Sequence, residues 1–411
     1  MLRFPRRAVA RFVALLRSDF AGVRAGFFAL LISSGGDLVT GLTLASITHT
    51  LSVLPGLFIL IPAAIGMRGN IFGALGSRLG TQIHAGTFRV SRRVDTLFGQ
   101  NVGAAIVLSL SISAALAVLA KAVSEAFGGT RSISLVDFMV ISVIGAIISS
   151  VVVLVITVGV AAFCARRSLD LDNVAAPIVT AAGDIATLPS LYLATFLIGY
   201  RFVTPAIAVL CVAVAFGSLA FAIRPGLPIL RRIVLESLPV LVLAGVVDLM
   251  AGLTIEKRLE SFLTFPALFV LVPAFLEDSG SLGAILAARI STKLHLGTLE
   301  PGRGAWWAAI DDVMLIYVYA IPVFVFLGIS SIVVAHVAHK ASPGAFDMMG
   351  VALLAGFMAT TAAVVVGFYA AVATYRFGLD PDNHGVPMVT SSLDLLGALS
   401  LILAIVIMGL G

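Results

Sequence analysis

Charge is what this chain has least of. Only 11% of its 411 residues are Asp, Glu, Lys or Arg, against about a quarter in an ordinary soluble domain. Cysteine and tryptophan are scarce, at two residues each. Cys164 and Cys211 form no spacing motif, which excludes a disulfide framework and a thiolate metal centre. Long polar stretches are missing too, so the chemistry must sit in or beside a bilayer. No P-loop, dinucleotide glycine motif or nucleophile–base pairing is present in a fitting context; neither ATP-driven transport within the chain nor an enzyme is indicated. The net charge of +5 lies in short loops between hydrophobic runs, which is not a nucleic-acid footprint.

What remains is hydrophobic: 60% of residues, with a mean hydropathy of +1.12. A membrane span needs about 20 apolar residues. That rule predicts spans near 25–49, 53–81, 101–120, 135–163, 175–199, 202–222, 233–254, 264–291, 310–334, 348–374 and 386–410. The expected fold is an all-α polytopic membrane protein of about eleven spans. Residues 1–24 read as a basic amphipathic segment, with Val9, Phe12, Val13 and Leu16 on one face, suited to a membrane interface.

The chain says the same thing twice. PGLFILIPAAIGMRGNIFGALGSRLGTQIHAGT, from Pro55 to Thr87, is answered by PALFVLVPAFLEDSGSLGAILAARISTKLHLGT, from Pro266 to Thr298, an offset of 266 − 55 = 211 without a gap. Asp37 matches Asp248 at the same offset, and LDLDNVAAPIVTAAGD answers LDPDNHGVPMVTSSLD with Asp184 matching Asp394. The organisation expected is a five-helix repeat over 25–200, a linking span and loop over 201–232, and a second five-helix repeat over 233–411. The linking span makes the count between repeats even, so the repeats should be parallel, related by a pseudo-twofold axis along the membrane normal like a fused dimer. Basic residues test the topology: with the N-terminus cytoplasmic, seventeen fall in cytoplasmic segments and six in outer ones, a positive-inside bias. Trp306 and Trp307 fall at the inner interface.

Acids inside spans are costly and point to function. Asp184 and Asp394 are the first candidates. Each lies about two turns into its span, after PIVTAAG or PMVTSSL. Two carboxylates with waters and carbonyls suit a hard divalent cation such as Mg²⁺. Thr180 and Thr390, one turn earlier, add oxygen. Asp37 and Asp248 form a second matched pair beside glycines, read either as pathway acids or as helix-to-helix hydrogen bonds. At the centre of the duplicated block, GMRGN stands against EDSGS. Pro, Gly and charge there predict a discontinuous helix, with Asn70, Glu277 and Asp278 as oxygen donors and Arg68 paired to Asp278 or Glu277. Asp170, Asp172, Asp380 and Asp382, beside Asn173 and Asn383, read as helix caps or as an acidic inner mouth, and Asp137 and Asp347 allow the same two readings. His336 and His339 lack a carboxylate cluster. His84 and His295 suit helix C-termini.

On the duplicated PGLFILIPA and PALFVLVPA blocks and the two LDxDN…P…T…D segments, the chain resembles the MgtE and solute carrier family 41 group of magnesium transporters. The resemblance covers nearly everything after residue 24. It implies five-helix units about a central pore, with fifth-helix aspartates binding Mg²⁺, here Asp184 and Asp394. Two departures stand out: the cytoplasmic regulatory domains of bacterial members are absent, and the Gly-Asn of the first repeat is Gly280-Ser281 in the second. The expectation is a multi-pass plasma-membrane protein that moves Mg²⁺ as its transported ion, as a channel or as an exchanger with Na⁺ as coupling ion. Transport of Mn²⁺, Co²⁺ or Zn²⁺ is a rival, disfavoured by the oxygen-rich acids. A membrane receptor or assembly subunit is the rival from another class.

Overall fold

The computed structural model describes residues 20–127, 132–167, 171–302, 305–379 and 385–411. Of the sequence candidates, Asp170, Asp380, Asp382 and Asn383, the side chains of Asp172 and Asn173, and the amphipathic face at 9–16 lie outside the described residues. Among those described, regular structure is helical, and eleven helices are long and apolar enough to cross a membrane. They are α1 (Phe20–Ser46), α2 (Leu57–His84), α3 (Leu97–Phe127), α4 (Leu135–Arg167), α5 (Leu171–Thr195), α6 (Val203–Ala222), α7 (Pro228–Glu256), α8 (Ala267–His295), α9 (Ile310–Val337), α10 (Ala345–Phe377) and α11 (Val386–Ile407). The eleven expected spans are all present. Several run past the apolar window; α3 extends from the expected 101–120 to 97–127 because polar side chains cap its ends, as where the Thr96 hydroxyl accepts from the Gly99 N–H at 3.1 Å.

The chain divides into two compact units. One is Val39–Leu263; the other combines Thr264–Gly411 with the residues up to Leu38. In the 39–263 unit, α2 packs against α3, α4, α5 and α7, and α5 also packs against α4. In the 264–411 unit, α8 packs against α9, α10 and α11, and α11 also packs against α10. Matching helices of the two halves therefore choose matching neighbours. Large apolar side chains such as Phe202, Phe346 and Phe377 stay exposed; on a spanning helix that surface faces lipid.

The expected break in the middle of the duplicated block is not there. Both α2 and α8 run as continuous helices, through Pro62 and Pro273 as well. The reason is that neighbouring side chains answer the polar groups, so the backbone keeps its own hydrogen bonds. α1 is likewise continuous through Gly35 and Gly36.

Two glycines are required by close approach or backbone sign. Gly56 sits at φ 86° before α2, and its N–H donates to Glu256 Oε1 at 2.8 Å. Gly252 of α7 lies so close to α2 that a Cβ would stand 2.4 Å from the Ile59 carbonyl oxygen and 2.8 Å from its Cα. Backbone cannot yield as a side-chain tip can. Gly252→Ala should therefore lose about 1–3 kcal/mol, whereas Gly217→Ala on α6, with open space around it, should gain up to about 1 kcal/mol from helix propensity. Thermal unfolding of both variants in one detergent checks this; equal melting temperatures would refute the close α2–α7 contact.

Candidate cation site

Each unit repeats one helix crossing beside its fifth-helix aspartate. In the 39–263 unit, a Cβ on Gly183 would lie 3.5 Å from the Arg68 Cβ and 4.0 Å from the Gly69 amide nitrogen. Asp184 follows Gly183 and Asn70 follows Gly69, so α5 and α2 carry both to the same crossing. Asp184 is buried, while Thr180 and Asn70 are half-buried. In the 264–411 unit, a Cβ on Gly280 would lie 3.7 Å from Thr390, which brings Asp278, Ser281 and Thr390 to the crossing of α8 with α11. Asp394, one turn beyond Thr390, is half-buried.

The polar partners differ between the two crossings. Arg68 is almost wholly buried; its Nη1 donates to Ser150 Oγ and its Nη2 to Ser113 Oγ, both at 2.9 Å. Asp278, fully buried, has Ser34 Oγ 3.0 Å from its Oδ1 and 2.8 Å from its Oδ2, and that hydroxyl shares its one proton with the Leu30 carbonyl at 2.7 Å. These are not the partners expected from the sequence, where Arg68 was matched to an acid. Serines on neighbouring helices hold both Arg68 Nη atoms and the Asp278 carboxylate inside their own units, while Arg68 Nε is left without a hydrogen-bond partner. Ser281 donates to Glu277 Oε1 at 3.3 Å.

The hydroxyls at the crossings donate back to their own helices. Thr390 donates to the Val386 and Pro387 carbonyls at 3.1 and 3.2 Å, and Thr187 donates to the Gly183 carbonyl at 2.6 Å. A hydroxyl whose proton points back along its own helix keeps its lone pairs for an acceptor role. Asp37 and Asp248 are completely buried. Asp248 lies one turn from Gly252, on the α7–α2 contact, rather than at the α5 crossing. Among the described residues, no three His, Cys, Asp or Glu side chains converge as a metal cluster; the oxygens on hand are those of aspartates, hydroxyls and an amide.

Sequence reading passed over several groups that shape these crossings. Ser34, Ser113 and Ser150 looked like ordinary small residues. Asp312, fully buried near the start of α9, accepts from Arg289 Nε at 3.0 Å and from Lys293 Nζ on α8. The sequence signals only part of it, since Arg78 and Arg289 match at the repeat offset.

An all-helical chain of eleven spans, with acids buried at repeated crossings, belongs to the class of polytopic membrane transport proteins. The family model described as a divalent cation transporter, MgtE, matches it twice, over residues 61–194 and 272–404. The chain is a member of that family. Curated relatives cover most of it. Solute carrier family 41 member 3 of Rattus norvegicus is 25% identical over 400 residues, 90% of this chain and 83% of its own length. Solute carrier family 41 member 2 of Gallus gallus is 24% identical over 397 residues, 89% and 67%, and that of Xenopus laevis 26% over 395 residues, 89% and 68%. No solved structure matches significantly.

The Ser34–Asp278 bond carries a stability prediction. Ser34→Ala should cost about 1–3 kcal/mol, because it strips a donor from a carboxylate buried at membrane depth. Ser46→Ala, at an exposed position of the same helix, should stay within about 0.5 kcal/mol. The two are compared by thermal melts in detergent, and an undisturbed Ser34→Ala would mean that Asp278 does not rely on that hydroxyl.

Proposed function

We propose that this chain carries Mg²⁺ across the membrane, with Asp184 and Asp394 as the carboxylates that meet the ion. Asp278, Asn70, Thr180 and Thr390 supply neighbouring oxygens, and Asp37 and Asp248 lie further along the path. The observation that carries the reading is the repeated crossing: each fifth helix presents an aspartate beside the centre of the duplicated block. Sparse oxygen donors suit Mg²⁺, which dehydrates reluctantly and keeps several waters. That both repeats line one pathway, as a parallel fused pair, rests on the duplicated sequence, and so does the assignment to the plasma membrane with a cytoplasmic N-terminus on its charge bias. The family match favours transport over an enzyme, a receptor or an assembly subunit.

The test is Mg²⁺ flux in proteoliposomes. Asp184→Asn and Asp394→Asn should each reduce flux at least tenfold while the protein keeps its melting temperature and oligomer profile. Normal flux in both variants would remove the site assignment. An opposing Na⁺ gradient separates the two modes: indifference to it means a channel, dependence on it an exchanger.

A further inference from the structure

The duplicated halves differ at one place where the difference leaves a gap. In the 264–411 unit, Asp312 is seated between Arg289 Nε and Lys293 Nζ. Arg289 and Lys293 are four residues apart and so share a face of α8. Subtracting the repeat offset gives 289 − 211 = 78, 293 − 211 = 82 and 312 − 211 = 101, which are Arg78, Gln82 and Asn101. The arginine is kept. The second cation and the carboxylate are both neutral amides here.

The donors of that site have lost their acceptor. Arg78 Nε, the counterpart of the atom that holds Asp312, is buried without a hydrogen-bond partner. Both amide atoms of Gln82 and the Oδ1 of Asn101 are in the same condition, in side chains only 4% and 3% exposed. The Asn101 amide N–H turns back to its own helix, donating to the Leu97 carbonyl at 2.8 Å. Buried polar atoms are rarely left so, and a group of them at one place calls for an occupant.

We infer that Arg78 and Gln82 form a binding site for a phosphate oxyanion, which supplies the negative charge that the Asp312 carboxylate supplies in the other unit. Among the described residues, no nearby acid supplies that charge. Asp95, in the loop before α3, is already bonded to Arg93 at 2.8 Å, and that hydrogen bond holds its carboxyl below the ordinary range. Gln100 is engaged as well, its side-chain oxygen accepting from the Ile229 and Leu230 N–H groups at 3.0 and 3.2 Å. The depth suits a phosphate. α2 has 28 residues, about 42 Å at 1.5 Å per residue, and Arg78 lies six residues from its end, about 9 Å in, close to the headgroup boundary of a core about 30 Å thick. Arg78 is half-buried, so the group is reachable, and the exposed Arg89 and Arg92 beside it attract anions. A lipid headgroup and free phosphate share this chemistry.

The full chain, purified in neutral detergent, is titrated at constant ionic strength with inorganic phosphate, and separately with phosphatidylglycerol against phosphatidylcholine. The melting temperature should rise saturably with one of them; a response to phosphate identifies the free ion and a response only to phosphatidylglycerol identifies a headgroup. Asn101→Asp supplies the carboxylate internally, so it should melt higher than the parent without ligand and respond at least tenfold less. Native mass spectrometry gives a second readout, in which the parent retains phosphate or the anionic lipid and Arg78→Gln does not. No saturable response and no retained anion in the parent would overturn the inference, leaving water in the gap. An unchanged response in Asn101→Asp, or retention undiminished in Arg78→Gln, would overturn it equally.

Discussion

Inside a bilayer no water answers a polar group, so each one must be answered by the protein. That constraint explains more of this chain than its hydrophobicity does. Arg68, buried in the middle of α2, is held by two serines. Asp278, one residue before the equivalent point in α8, is held by a third. Hydroxyls on neighbouring helices do this work, and both helices are continuous through their prolines. The same demand selects the small residues around them, since a serine reaches a buried charge only where helices lie close. Packing and polarity are thus one requirement. Gly252 against the Ile59 backbone and Glu256 on the Gly56 amide belong to it as much as the serines do.

Duplication lets the constraint be watched under change. Where the first copy has Gly66, Met67 and Arg68, the second has Glu277, Asp278 and Ser279. A mid-membrane position has exchanged a cation for acids, and each version has found its own hydroxyl partners. At the other end of the same helices, Lys293 and Asp312 correspond to Gln82 and Asn101. There a cation and an anion are exchanged together for neutral amides, and the net charge of the trio is +1 in both copies. Charge has been conserved where hydrogen bonding has not. At mid-membrane the reverse holds, since the charge changes sign while hydroxyl partners are found in both copies.

Much of the architecture was legible in the sequence. Spans are long apolar runs, and their number and order follow from counting. Asp184, Asp37 and Asp248 were identified by the rarity of acids in such runs, and all three are buried. What could not be read was who answers whom. Ser34 lies 244 residues from Asp278, and nothing in a local window marks a serine as the partner of an acid so far away. The expected Arg68–acid pairing failed for this reason: opposite charge at adjacent repeat positions is a weak guide when neutral hydroxyls can satisfy both. The expected helix break failed likewise, since Pro and Gly measure only local propensity and the tertiary partners decided the outcome. The one long-range fact the sequence did offer was its own duplication, and Asp312 with Lys293 lies where that duplication breaks, against Asn101 and Gln82.

The cation site follows from the same economy of partners. A carboxylate closed by basic side chains, as Asp312 is, has no use for a passing ion. Asp184 and Asp394 stand instead among residues whose hydroxyl protons are turned back to their own helices, with Thr187 beside the one and Thr390 beside the other. Such a surface presents oxygen lone pairs, and the guanidinium at the Asp184 crossing, that of Arg68, is turned to Ser150 and Ser113. In the function proposed above the surface would attract a hydrated divalent ion without stripping it, since carboxylate and hydroxyl oxygens can accept from the ion's water shell as readily as bind the metal. Weak, shared ligation of that kind is what transport needs: a cage that satisfied the ion fully would store it, whereas the few carboxylates of the proposed path would let it enter and leave.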